Sequence, residues 1–197
     1  LTRTSDLERI KKFSQRGFEM LPYVFVVLAL GLRFVSKPIA FTSVSAALLY
    51  FGARGVRKYA WIPWVLAAAT DVVLTRVVYS YPVTWDHLVT WAWYAAVLGL
   101  GMQLRGSNSP LRIGGASLLS SLTFFVVSNF AVWASYRTLY PATVQGLVAC
   151  YIAAIPFFRH LLTADMVFTA IFFSIPVLLH GTAGDLEPAP EWARKRR

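Results

Sequence analysis

From Leu21 to His180 the chain alternates apolar runs with short polar breaks, and most runs reach about 15–20 residues, the length of a membrane-crossing helix. The runs predict helices over Gly17–Phe34, Ile39–Phe51, Tyr59–Tyr79, His87–Leu104, Ile113–Leu139, Val144–Phe158 and Leu161–His180. A soluble domain of this size could not cover that much apolar surface, whereas in a bilayer every helix face can be apolar. The breaks carry the residues that end helices: Gly52 and Gly55 in the first basic loop, Pro82 in the next, Gly106 and Pro110 in the third, Pro141 in the fourth. The pattern divides the chain into a polar, amphipathic segment over 1–16, in which Leu7, Ile10 and Phe13 fall at helical spacing, a single membrane domain over 17–180, and a basic tail over 181–197.

Charge orients the helices. Arg3, Arg9, Lys11, Lys12 and Arg16 precede the first run, Arg54, Arg57 and Lys58 follow the second, and Arg105 and Arg112 follow the fourth. The loop Ser80–Asp86 has no Lys or Arg, and the tail ends in Arg194-Lys195-Arg196-Arg197. Basic loops stay cytoplasmic, so the loops alternate in, out, in, and both termini are expected in the cytoplasm. That requires an even number of crossings from seven apolar runs. Val144–Phe158 is the run to set aside, because about 22 Å of helix falls short of a ~30 Å hydrocarbon core, and Pro141 and Pro156 bracket it. The sequence therefore predicts an all-α integral membrane protein with about six transmembrane helices plus a short re-entrant or tilted half-helix on the outer side.

Composition agrees, with 57% hydrophobic and only 14% charged residues, where a soluble domain is about a quarter charged. The formal charge of +10 sits in tails and short loops, which suits anionic lipid headgroups and argues against a nucleic-acid partner. The single cysteine, Cys150, excludes an internal disulfide, and His87, His160 and His180 lack a second ligand at helical spacing, so no metal site is expected. Neither a catalytic motif nor a nucleotide-binding loop is present, and the chain is not expected to be an enzyme. The absence of an internal repeat argues against a two-fold alternating-access carrier.

Polar residues inside apolar runs are the candidate functional groups. Asp71 reads either as a ligand contact or as a structural partner of Arg76, Arg137 or a helix dipole; its spacing of five from Arg76 favours a partner on another helix. Asn129, Trp133 and Arg137 recur every four residues; they read as one face presenting an amide, an indole and a guanidinium to a flat ligand, or as an interhelical hydrogen bond from Asn129 with Trp133 and Arg137 as interface anchors. Arg159, His160 and Asp165 form a further candidate set, or a loop ion pair with an acid near a helix start. Trp85, Trp91 and Trp93 read as an interfacial belt or as a stacking lid.

One stretch resembles a known group. Phe124-Phe125-Val126-Val127-Ser128-Asn129-Phe130-Ala131-Val132-Trp133, then Tyr140-Pro141, Thr143, Gly146-Leu147, Cys150-Tyr151 and Ala153-Ala154-Ile155-Pro156-Phe157-Phe158-Arg159, then Asp165 and Phe168-Thr169, are similar to motifs of an uncharacterised bacterial family described as substrate-binding (S) components of energy-coupling-factor (ECF) transporters. Phe41-Thr42, Val44, Ala46 and Asp71 fit more loosely. The resemblance implies a six-helix S-component-like fold in the bacterial inner (cytoplasmic) membrane. It further implies a pocket opening outward, a bound vitamin or other micronutrient, and a separate transmembrane/ATPase module as partner. Beside a small-molecule binding and uptake component stands a second expectation, a non-catalytic accessory subunit of a larger respiratory or photosynthetic complex, whose aromatic surface would hold lipid or neighbouring helices.

Overall fold

The computed structural model describes residues 2–35 and 44–184. Phe41 and Thr42 and most of the basic tail lie outside those residues. All regular structure among the described residues is helical: α1 (Thr2–Val35), α2 (Val44–Arg54), a 3-10 turn (Arg57–Tyr59), α3 (Trp61–Val73) with a π segment (Leu74–Val78), α4 (Asp86–Met102), α5 (Pro110–Ser135) and α6 (Val144–Gly184). Three stretches, Arg57–Val78, Pro110–Ser135 and Val144–Leu178, are long and apolar enough to cross a membrane. Their outward faces carry Leu, Val, Ile and Phe side chains such as Val77, Leu119, Val126, Ile152 and Phe130, a surface matched to lipid tails.

The expected half-helix is corrected. Val144–Phe158 and Leu161–His180 belong to one continuous helix, with Pro156 and Pro176 in its interior and no break at Arg159-His160. A proline inside a helix removes one backbone bond and costs about 3 kcal/mol. Ending the helix there would leave several backbone groups unpaired in apolar surroundings, which is worse. α5 also runs antiparallel beside α6 and fixes its course. Trp133 Nε1 donates to the Pro141 carbonyl at 3.1 Å, Tyr151 Oη to Val126 O at 2.6 Å, and the Phe125 and Phe158 rings lie 4.6 Å apart. Ser117 and Thr169 hydroxyls meet at 3.1 Å nearer the other end.

α2 is the axis of the bundle. Every residue from Val44 to Ala53 is buried, with α4 as the chief neighbour and α1 and α6 on its other sides. Its small residues permit this, and Gly52 sits against Gly101 of α4 so closely that a Cβ on Gly52 would lie 2.9 Å from the Gly101 Cα. At its C-terminus the unsatisfied carbonyls find cations. Arg105 Nε donates to Gly52 O at 3.1 Å and its Nη2 to Gly55 O at 2.7 Å, while Arg54 reaches Ser107 O at 2.7 Å and Asn108 Oδ1 at 2.6 Å. Arg105→Ala is expected to lower the melting temperature of the purified protein by loosening this end, at a cost of about 1 kcal/mol for a partly solvated cap. Arg105→Lys, which lacks the fork, should recover only part of it.

These contacts gather the basic loops at one end of the bundle. Arg54 also lies over the Phe173 ring of α6, at 5.9 Å, so the last third of α6 reaches that end. At the opposite end the loop without Lys or Arg meets the α5–α6 turn, where Thr84 Oγ1 and Tyr136 Oη are 3.4 Å apart.

Candidate functional site

Three polar assemblies interrupt the apolar packing. The first joins α1, α3 and α4 around Asp71, which is 7% exposed. Arg33, near the end of α1, forms an ion pair with Asp71 and donates to Thr70 Oγ1 at 3.1 Å. Tyr94 Oη lies 3.2 Å from both Asp71 carboxylate oxygens. The partner of Asp71 is thus on another helix, as its spacing from Arg76 implies, but it is Arg33 rather than Arg76 or Arg137, both of which are exposed. Nothing in the sequence marks Arg33, which reads as the residue ending the first apolar run.

The second assembly is a cavity of about 310 Å³ between α5 and α6. Phe124, Phe125, Phe157 and Phe158 form its walls, with Ser128 and Asn129 as its polar groups and Ala154 on the facing helix. The Asn129 amide nitrogen donates to Phe125 O at 2.7 Å and Ser128 Oγ to Phe124 O at 2.6 Å, both back along α5. Asn129 thus lines the cavity with its amide nitrogen engaged on its own helix, and its side-chain oxygen is the group left to accept. Cys150 is buried against the same segment, 3.5 Å from Asn129 O.

Trp133 and Arg137 do not continue this wall. α5 ends at Ser135, so Arg137 stands in the turn beyond it rather than on the helical face with Asn129. Its guanidinium covers the Trp133 ring at 4.8 Å, and Trp133 is held by the Pro141 carbonyl. The pair clamps the α5–α6 turn. The expected row of three therefore divides into one cavity residue and a stacked pair above it.

The third assembly is centred on Asp165, 1% exposed, where α2, α5 and α6 meet. Ser45 Oγ is 2.6 Å from Oδ1 and Ser121 Oγ 2.7 Å from Oδ2. Arg159 and His160 are on the exposed face of α6, lining a separate cavity of about 370 Å³ with Pro156 and Thr163, so they are not brought to Asp165. Ser117 and Ser121 are legible afterwards as hydroxyls at spacing i, i+4 on α5, and Thr169 as one turn after Asp165 on α6, but serine in an apolar helix, Ser45 of α2 included, also reads as a small packing residue.

The tryptophans divide likewise. Trp93 is buried with its Nε1 3.3 Å from Thr123 Oγ1, Trp64 Nε1 donates to the Trp91 carbonyl at 2.8 Å, and Trp85 is exposed in the loop. Of Trp85, Trp91 and Trp93, Trp85 has the placement of an interfacial anchor. Among the described residues no three His, Cys, Asp or Glu side chains converge on a point that a metal ion would occupy.

The profile of a protein family described as "Family of unknown function (DUF6580)" matches residues 14–186. No curated protein and no solved structure matches the chain.

Proposed function

The chain belongs to that family of unknown function, and from this premise we propose that it is a membrane-embedded binding and uptake component for a small, largely apolar, flat molecule. The observation that carries the reading is the α5–α6 cavity. Its volume falls at the lower end of small-molecule sites, its walls are four phenylalanines, and its few polar groups are placed on one side. Aromatic walls select a planar ring and an amide oxygen selects a donor on its edge. The resemblance of residues 124–169 to S components points to a vitamin or related micronutrient, and to a separate ATPase module for release. The reading is of a binding component and assigns no catalytic role.

The proposed topology has six crossings, α1 to α6, in the bacterial inner membrane with both termini cytoplasmic. The basic end, with Arg54, Arg57, Lys58, Arg105 and Arg112, then faces the cytoplasm, and the Thr84–Tyr136 end faces outward. α6 makes one tilted crossing, which removes the need for a half-helix. In that topology Asn129 lies on the outer half of α5, and we propose that the ligand enters the cavity from that side.

The test is native mass spectrometry of protein extracted in a mild detergent. A bound molecule should be released from the wild type, and Ala154→Trp, which fills the cavity, should lower its retention at least tenfold while the protein still elutes as a folded species. Equal retention in the folded variant would place the ligand elsewhere. A second reading rests on a separate apolar groove of about 720 Å³ between α4 and α5, lined by Val89, Trp93, Ala96, Leu100, Leu119 and Val127. It suits a lipid tail or the helix of a larger complex, and in that case the protein would migrate on a native gel within an assembly and carry no small molecule.

A further inference from the structure

We propose that Asp165 is a proton-binding site: a carboxylic acid held protonated in the membrane interior, whose proton locks α2, α5 and α6 together. The inference stands apart from the cavity and does not depend on what the cavity holds.

The count of hydrogens carries it. Ser121 Oγ has a single proton, yet it lies 3.1 Å from Ser117 O and 2.7 Å from Asp165 Oδ2. A backbone carbonyl has no proton to offer, and neither has a carboxylate. With an ionised Asp165 the single Ser121 hydrogen goes to Oδ2 at 2.7 Å, and Ser117 O, at 3.1 Å, is left in contact with an oxygen that has no hydrogen for it. With a proton on Oδ2 each contact has its own: Asp165 donates to Ser121, and Ser121 donates to Ser117 O. Ser45 supplies its hydroxyl hydrogen to Oδ1 at 2.6 Å, which completes the set. Separations of 2.6–2.7 Å are those of hydroxyl–carboxyl hydrogen bonds.

The surroundings agree. Asp165 is 1% exposed, and an isolated carboxylate at such depth is strongly disfavoured, so the group keeps its proton unless a cation meets it. The charged and titratable groups on the packed elements are otherwise engaged or turned away. Tyr50 of α2 stacks edgewise on Phe25 and Phe173. Arg54 of α2 is held by Ser107 and Asn108, and Arg33 of α1 by Asp71. Arg112 of α5 and Arg159 and His160 of α6 are exposed. Among the described residues no Lys, Arg or His pairs with Asp165.

Ionisation has a defined consequence. The O–H bond of Asp165 breaks, its proton passes to solvent water, and the electron pair stays on Oδ2. Ser121 must then turn its hydrogen from Ser117 O to Oδ2. The carbonyl loses a partner, and a charge stands where three helices meet. Loss of the proton therefore loosens the α2–α5–α6 junction, and opening that junction to water lets the proton leave.

Infrared spectroscopy of the protein in lipid nanodiscs tests the proposal. At neutral pH the wild type should show the carbonyl stretch of a protonated carboxylic acid, and Asp165→Asn should lose that band while keeping its melting temperature near the wild-type value. Ser121→Ala should keep the band but move it to higher frequency, because the acid loses its acceptor; this variant carries the test if Asp165→Asn does not fold. In alkaline buffer the wild type should melt earlier than at neutral pH, and Asp165→Asn should lack that difference. A spectrum with no band assignable to Asp165 at neutral pH overturns the proposal. So does a wild-type melting temperature raised by sodium over choline chloride but not in Asp165→Asn, which would assign a cation to the site.

Discussion

Arg33→Ala is expected to remove most of the folded protein from the membrane. Arg33 and Asp71 form an ion pair between α1 and α3, and both are largely shielded, with side-chain exposures of 15% and 8%. Taking away the guanidinium leaves the carboxylate with Tyr94 alone, in a place that water does not reach freely. Breaking one side of a buried pair costs about 3–5 kcal/mol, a large part of the ~5–15 kcal/mol that ordinarily holds a protein together. Asp71→Ala should act similarly, since it strands the arginine and removes the acceptor of Tyr94. The informative variant is the double one. Arg33→Met with Asp71→Asn removes both charges and keeps an acceptor for Tyr94, so it should recover much of the yield, with a coupling of about 1–3 kcal/mol between the sites. Unfolding in denaturant measures all four members of the cycle. Additive losses would mean that the two residues act separately and that the pair does not hold α1 to α3.

Gly101→Val is expected to be the most damaging change at the centre of the bundle. A Cβ at Gly101 would fall within contact distance of the Leu49 carbonyl and 3.0 Å from the Gly52 Cα, so α2 and α4 would have to separate. Backbone cannot move aside as a flexible side chain can, and overpacking of this kind costs about 1–3 kcal/mol or more. α4 is the chief neighbour of α2, and α2 is buried from Val44 to Ala53, so the loss should spread to α1 and α6. Gly99→Ala is the matched control. It lies two residues away on the same helix with nothing within 4 Å of the added carbon, and it should melt within about 1 kcal/mol of the wild type or slightly above it, since alanine is the better helix former. Equal melting of Gly99→Ala and Gly101→Val would contradict the close crossing.

The membrane-like helices were legible because hydropathy follows directly from composition along the chain, and the grouping of Arg54, Arg57 and Lys58 with Arg105 followed from charge alone. What the sequence concealed depended on partners distant in the chain. Arg33 looks like the end of an apolar run until α3 brings Asp71 beside it. Val144–Phe158 looks too short to cross because Pro156 and Arg159-His160 are ordinary helix breaks in water; beside α5, in apolar surroundings, the helix continues through them. Asn129, Trp133 and Arg137 share a helical spacing only if α5 extends past Ser135, and the Tyr136 backbone ends it first. Asp165 falls near Arg159 in sequence, yet the helix points the two residues to opposite faces.

The cavity and the Asp165 site both require α6 to cross the membrane once as a single helix antiparallel to α5. Cysteine accessibility in intact cells, on a Cys150→Ser background, tests this most directly. Val83→Cys and Ala142→Cys should react with an impermeant thiol reagent added outside, and Asn108→Cys should react only after the membrane is opened. His160→Cys decides the matter. On a continuous α6 it lies within the membrane and should stay unreactive from either side. If it reacts from outside as readily as Ala142→Cys, the chain turns back at Arg159-His160, and both the single crossing and the sites built on it fail.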